Sequence, residues 1–287
     1  MEIRLFILHK FSLPCGIKTR KDLTYIPKLS KNLLVTPRYN LMPRLILTIR
    51  ATDETLVEAF NKHYLQAVIY SELGEQGNSD YHEGNRFRFF SFSDFFPSGN
   101  MKKGETKKVI ISSPDSKLIG SLSKGFSESA ELYLGSNKFI VSTVKTLRLN
   151  FSSRAYISGS PVVLYTDNQK NRFFSLRDGD EISFFMERIK ENAIKKYKQF
   201  TGKSPRFTDG PMFDSIRLKK EVSVKVVHRG GDFYIIGTLW EKLGLFEGRK
   251  IDYDFYRFIA ECGIGEKNSL GFGFLNPLSE DKENAAS

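Results

Sequence analysis

Apolar residues recur along the chain with two periods, two residues in some stretches and about 3.6 in others, and the switches between them mark the elements. Met42–Arg50 reads as a strand. After it Thr52 or Asp53 is placed to cap a helix running to about Tyr70, with Leu56, Phe60, Tyr64 and Ala67 as its apolar stripe. The loop Gly74–Gly77 ends that helix, and Asp80-Tyr81-His82-Glu83-Gly84 leads into a strand over Asn85–Ser93, where Arg86 and Arg88 share a face because the period is two. Lys107–Ser112 predicts a third strand, Lys117–Ser129 a second helix, and Glu131–Leu149 a strand pair turning at Gly135-Ser136-Asn137. The order βαββαβ is the ferredoxin-like unit.

Strand and helix then alternate again from about Ile157. Ser160–Thr166 and Arg172–Leu176 read as a hairpin, and Glu181–Thr201 as a long helix with Ile182, Phe185, Met186, Ile189, Ile194 and Tyr197 at helical spacing. Leu218, Val222, Val224 and Val226 alternate with Arg217, Lys219 and Lys225, the pattern of a half-exposed strand with a basic outer face. A second hairpin turns at Gly230-Gly231, and a helix over Tyr253–Glu261 delivers a glycine-rich segment. Residues 1–41, with three prolines and little periodicity, read as a basic extension with one strand at Ile3–Leu8, and residues 278–287 as a polar, disordered tail.

A chain of 287 residues is long enough for two ordinary cores, since domains cluster around roughly 100–150 residues. The net charge of +11 and pI near 9.4 point to a polyanionic partner, nucleic acid first and an anionic membrane surface second. Among 25 Phe and 12 Tyr, most Phe must fill cores while the rest offer faces for base stacking. Cys15 and Cys262 lie too far apart in sequence to suggest a disulfide framework or a cysteine zinc site, which suits a reducing compartment. The apolar run in Met1–Lys10 is short for a signal peptide, and no stretch approaches the ~20 apolar residues of a membrane span, so a cytoplasmic protein is expected.

The segment Gly263-Ile264-Gly265-Glu266-Lys267-Asn268-Ser269-Leu270-Gly271-Phe272-Gly273-Phe274-Leu275 sets two Gly-apolar-Gly pairs around a Lys-Asn-Ser centre. Its backbone has access to positive φ and close approach to a ligand, and its N–H groups suit an anion. No Gly-Lys-Ser/Thr ends a phosphate-binding loop here, and the run after Gly273 goes apolar into Pro277 instead of opening a helix, which argues against a nucleotide-binding fold.

This segment closely resembles the C-terminal glycine-rich loop of the CRISPR repeat-RNA processing endoribonucleases of the RAMP superfamily. Two further stretches are similar to that family: Tyr64-Leu65-Gln66-Ala67-Val68-Ile69-Tyr70 to its first helix, and Tyr81-His82-Glu83 with Arg88-Phe89-Phe90 to the loop and strand that carry its catalytic residues. The resemblance implies fold class α+β, two tandem ferredoxin-like (RRM-like) βαββαβ domains, here over residues 42–150 and 151–277. It also implies cleavage of precursor RNA within repeats, without metal or cofactor. Residues 1–41 lie outside the resemblance; the family's first strand starts near Met42, so a genuine appendage and an early start codon both fit. The Tyr, His and Lys of the archaeal members fall on Tyr70, His82 and Arg88, with Arg in place of Lys. His63 is the reserve, because some members carry the catalytic His on the first helix.

RNA supplies its own nucleophile, the 2′-hydroxyl, so cleavage needs in-line geometry, a proton acceptor, a proton donor for the leaving 5′-oxygen and charge stabilisation. His82 is the expected acid or base, Tyr70 would position the 2′-hydroxyl or assist proton transfer, and Arg86 or Arg88 would hold the phosphate. Each has a plainer reading, His82 as a solvated loop residue and Tyr70 as a core side chain. His9 and His228 have no partners at ligand spacing, so no metal site is expected.

The cations Arg188, Lys190, Lys195, Lys196, Lys198, Lys203 and Arg206 are either the solvated face of an amphipathic helix or an RNA-binding surface. Arg217, Lys219 and Lys225 stand in the same position. In the glycine segment Lys267 and Asn268 are candidate RNA contacts, with Gly265 and Gly271 permitting close approach; the plainer reading is that the loop packs the two domains together. Expected partners are CRISPR repeat RNA and, for a non-cutting RAMP-type binder, the proteins of an effector complex; monomer and homodimer remain open. A generic RNA-binding protein with two RRM-like domains is the third reading, disfavoured because the aromatic RRM strand signature is missing.

Overall fold

The computed structural model describes residues 41–75, 88–150, 153–206, 210–227, 231–246 and 250–278. In the first half the central strand is β1 (Leu41–Ala51), where Leu45, Leu47 and Ile49 alternate onto one face and are fully buried. Two helices, α1 (Lys62–Glu75) and α2 (Ser116–Glu128), pack on them through Leu65, Ile69 and Leu73 and through Leu118, Leu122 and Phe126. Strand β2 (Ser91–Phe92) and strand β3 (Thr106–Ser112) lie to one side of β1, and β4 (Glu131–Leu134) and β5 (Asn137–Asn150) to the other. The sheet order is β2-β3-β1-β5-β4, every paired neighbour antiparallel. Apart from edge strand β4, this is the ferredoxin-like arrangement.

The second half repeats it. After β6 (Ala155–Ser158) come a small inserted hairpin, β7 (Tyr165–Asp167) and β8 (Arg172–Phe173), then α3 (Ile182–Thr201), β9 (Ser215–Val226), β10 (Phe233–Gly244), α4 (Tyr253–Cys262) and β11 (Leu275–Pro277). The sheet order is β11-β6-β10-β9. Its core gathers Tyr156, Phe185, Ile189, Trp240, Phe255 and Ile259. Local chemistry sets the helix ends. Asp115 accepts from the Lys117 and Leu118 amides at the start of α2, Asp252 accepts from the Phe255 amide at the start of α4, and α3 stops at Gly202 with φ +70°. Among the described residues no helix is long and apolar enough to cross a membrane.

Three expectations are corrected. The first helix starts at Lys62 instead of after Thr52 or Asp53, because Thr55 is pinned in an extended bridge with Met101 (2.8 Å in both directions) and a short 3-10 turn, Val57–Phe60, follows. Asn61 caps the helix by accepting from the His63 amide at 3.0 Å. Its buried stripe is Leu65, Ile69 and Leu73, while Leu56 and Ala67 are exposed. Among the described residues of the strand expected over Asn85–Ser93, the β-strand is confined to Ser91–Phe92, which pairs with β3. Phe89 leaves the ladder to pack on Phe200 and Phe258 of the second half, and its carbonyl accepts from the Ser113 hydroxyl. The hairpin expected from Ser160 is confined to β7 and β8, since Val162 bridges Thr238 and Val163 bridges Glu266.

The halves meet along a seam. Buried Arg44 on β1 crosses it, donating to Asn276 Oδ1 and the Leu275 carbonyl of β11 at 2.5 Å each, with its guanidinium 4.7 Å above the Phe274 ring.

Candidate active site and nucleic-acid interface

The glycine-rich segment lies on this seam, folded back on itself. The Ile264 amide donates to the Gly273 carbonyl (3.0 Å), Glu266 to Val163 (2.8 Å) and Gly273 to Pro161 (2.7 Å), and a 3-10 turn at Asn268–Leu270 forms the tip. At Gly265, φ is +68° and a Cβ would sit 2.5 Å from the Val163 carbonyl oxygen; at Gly271, φ is +83° and a Cβ would clash with the Phe92 ring, 2.1 Å from its Cε2. The close approach these glycines permit is therefore taken by the protein itself. Asn268 is also internal, with Nδ2 donating to the Ile264 (2.8 Å) and Phe272 (3.0 Å) carbonyls and Oδ1 accepting from Lys196 at 2.7 Å.

Lys196 is 2 % exposed, so the sequence expectation of a surface RNA contact is corrected. Its ammonium also donates to the carbonyls of Gly263 (2.7 Å) and Gly265 (3.1 Å). Burial pushes its pKa down, opposed by Cys262 and Glu266, while burial pushes the neighbouring Cys262 thiol up to about 11, an inert thiol at neutral pH.

Helix α1 meets the loop from the first half. Lys62 donates to the Gly271 carbonyl at 2.8 Å and pairs with Asp94, and Gln66 Nε2 donates to the Ser269 carbonyl at 3.1 Å. His63 is half-buried, in a recess shared with Ala67, Ser71, Glu131 and Tyr133. Tyr70 follows it by seven residues on the same stripe, roughly 10 Å along the axis, with Gln66 between them. The Tyr70 ring packs edge-on against Phe90, centroids 5.8 Å apart. Phe90 faces the first core and Phe89 the second, and this pair fixes the half-buried Arg88 just before them. Helix α1 thus touches Phe90 through Tyr70 and the glycine loop through Gln66, which lie one turn apart on it, and Arg88 precedes Phe90 by two residues. His82 and Arg86 lie outside the described residues.

Known proteins match this chain along most of its length. A family model described as CRISPR associated protein Cas6, C-terminal, matches residues 146–277. A protein of Methanocaldococcus jannaschii named CRISPR-associated endoribonuclease Cas6 2 is 38 % identical over 241 residues, covering 82 % of this chain and 99 % of the relative. The chain belongs to the Cas6 family of CRISPR-associated endoribonucleases. Two solved structures share its fold: one described as a RAMP protein binding different RNA substrates, with TM-score 0.63, 19 % identity and coverage of 83 % of this chain and 100 % of that one. The other, a Cas6-related protein of Pyrococcus furiosus, has TM-score 0.63, 22 % identity and coverage of 84 % and 99 %. The tandem ferredoxin-like fold expected from the sequence is the Cas6 fold seen here.

The basic side chains of this Cas6 chain divide by environment. On α3, Arg188 pairs with Glu266 (3.3 Å) and Glu191 (3.5 Å), and Lys190 donates to the Gly210 carbonyl. Arg206, just beyond α3, pairs with Asp254 (3.3 Å) and Asp252. Lys195, Lys198 and Lys203 are exposed. Arg217 and Lys219 are exposed on edge strand β9; Lys225 is exposed and pairs with Asp232 at 2.7 Å, which raises its pKa. Lys267, at φ +57°, is half-exposed and sets its ammonium 5.3 Å from the Tyr165 ring centroid.

Sequence reasoning missed Lys62, Gln66 and Ser269, which join α1 to the loop across about two hundred residues of chain. It also misassigned Lys196, although a signal existed: Lys196 follows Ile189 by seven and Ala193 by three residues, on the buried stripe of α3.

Proposed function

We propose that this protein cuts CRISPR precursor RNA within its repeats as a metal-independent endoribonuclease. The upstream 2′-oxygen attacks the scissile phosphorus and gives up its proton, the 5′-oxygen leaves and takes one up, and the products carry a 2′,3′-cyclic phosphate and a 5′-hydroxyl. The observation that carries this reading is that one stripe of α1 touches both the Phe90 segment, through Tyr70, and the glycine loop, through Gln66. The M. jannaschii relative, an endoribonuclease by name, supports it. In this scheme His82 moves the proton, Tyr70 orients the 2′-hydroxyl and Arg88 offsets charge growing on the phosphate oxygens. Arg86, Lys267, Lys195, Lys198, Arg217 and Lys219 hold backbone phosphates. Repeat RNA is the partner.

The test is incubation of the purified protein with repeat RNA in excess EDTA, beside the same RNA carrying a single 2′-deoxy nucleotide upstream of the cut. The all-ribose RNA should be cut to the ends named above, and the deoxy RNA should bind but stay whole. Cleavage of the deoxy RNA would refute the attacking group, and binding without any cleavage would make the protein a repeat-RNA binder.

A further inference from the structure

We propose that Lys196 and Lys62 are positioning residues for RNA cleavage: two buried ammonium groups, one from each half, that hold the glycine loop in register with the face of α1. The proposal rests on the endoribonuclease reading above. Lys196 has three protons and three acceptors, the Gly263 and Gly265 carbonyls and Asn268 Oδ1, all within 3.1 Å. A methionine would fill similar space without the penalty of burying a charge, but would leave these three oxygens without this donor. What the charge adds is a grip on oxygens that would otherwise turn outward. Asn268 completes the grip through the carbonyls of Ile264 and Phe272.

Lys62 acts from the opposite side. It opens α1 immediately before His63, and its ammonium takes the Gly271 carbonyl and lies 5.0 Å from the centroid of the Phe272 ring. Helices α1 and α3 hold the same place, the first helix, in the two βαββαβ halves. The loop is therefore clasped between equivalent helices, its carbonyls drawn inward at residues 263, 265 and 271. This arrangement leaves Lys267 and Ser269 half-exposed at the tip, with Ser269 tied to Gln66, one helical turn from both His63 and Tyr70. The two lysines act through the loop, since both are buried.

Three variants test the proposal: Lys196→Met, Lys62→Met and Lys62→Arg, with folding checked by circular dichroism. Single-turnover cleavage at saturating enzyme should fall by about tenfold or more in both methionine variants, while affinity for 2′-deoxy repeat RNA stays within about threefold, the pattern of lost positioning. The slope of log K against log[salt] should match the parent, whereas Lys267→Met should lower it by about 0.7. Lys62→Arg, which keeps a donor for the Gly271 carbonyl, should restore most of the rate. If Lys196→Met does not fold, the Lys62 pair decides the matter. Methionine variants cutting within about threefold of a parent that cuts would overturn the clasp alone, as would a slope lowered by about 0.7, which marks a phosphate ligand. A parent that binds repeat RNA and leaves it whole overturns the endoribonuclease reading and this one with it.

Discussion

Replacing Gly271 by Ala separates two uses of a glycine, backbone freedom and space. Gly271 has φ +83° and ψ 26°, a left-handed conformation that costs an L-residue about 1–2 kcal/mol. Alanine recovers about 0.4–1 kcal/mol by restricting the unfolded chain, so the backbone part is a net loss of about 1 kcal/mol. The new methyl also falls on the buried Phe92 ring, and overpacking of this kind costs about 1–3 kcal/mol. Gly202, at φ +70° with nothing within 4 Å of its would-be Cβ, carries only the backbone part. Gly271→Ala should therefore lose about 2–4 kcal/mol and Gly202→Ala about 1 kcal/mol, measured by urea unfolding with an unchanged m-value. In a Phe92→Ala background the methyl gains room, and Gly271→Ala should cost at least about 1 kcal/mol less than in the parent. Equal losses at Gly271 and Gly202, or strict additivity with Phe92→Ala, would refute the packing argument and return Gly271 to the role of a ligand-facing glycine.

If His82 moves a proton, His82→Ala should slow single-turnover cleavage by about 10²-fold or more with repeat-RNA affinity within about threefold, while His63→Ala stays within about fivefold of the parent. The reverse ranking would place the acid or base on α1. Charge reversal of Arg217 and Lys219 should flatten the salt dependence of binding by about 0.7 for each phosphate these side chains neutralise, and an unchanged slope would mark β9 as a solvated edge. Stability should depend on pH through Glu261, whose carboxyl burial pushes up to about 8 against the opposing pull of Arg257 and Arg44. A raised carboxyl favours the folded state below its ordinary pKa and loses that advantage as pH climbs to about 8, by up to about 1.4 kcal/mol per unit. Glu261→Gln should flatten the stability profile over that window in chemical denaturation; an equally steep profile would show that another group titrates.

Periodicity determined most of the order of elements, because burial of one face forces a period of two or of 3.6 wherever a sheet or helix meets a core, and the family resemblance implied the tandem fold class. The long α3 helix, the β9–β10 hairpin and α4 before the glycine loop were all legible in this way. So was the family, from the wording of the glycine loop. Element starts were less legible: Thr55 favours neither helix nor extended chain until Met101 comes beside it, and Phe89 continues a strand pattern until a second core offers Phe200 and Phe258. At the site, sequence assigned charge by residue type, which left Lys195, Lys196 and Lys198 indistinguishable as cations. Helical spacing places Lys196 on the buried stripe with Ile189 and Ala193, but only the packed structure supplies the three loop oxygens that its ammonium meets, while its neighbours are exposed. The meeting of Lys62 and Gln66 with residues 269 and 271 depended likewise on tertiary structure. Pairings across two hundred residues leave no local period, and they exist because two sheets close on one seam and the glycines let a backbone pass through it.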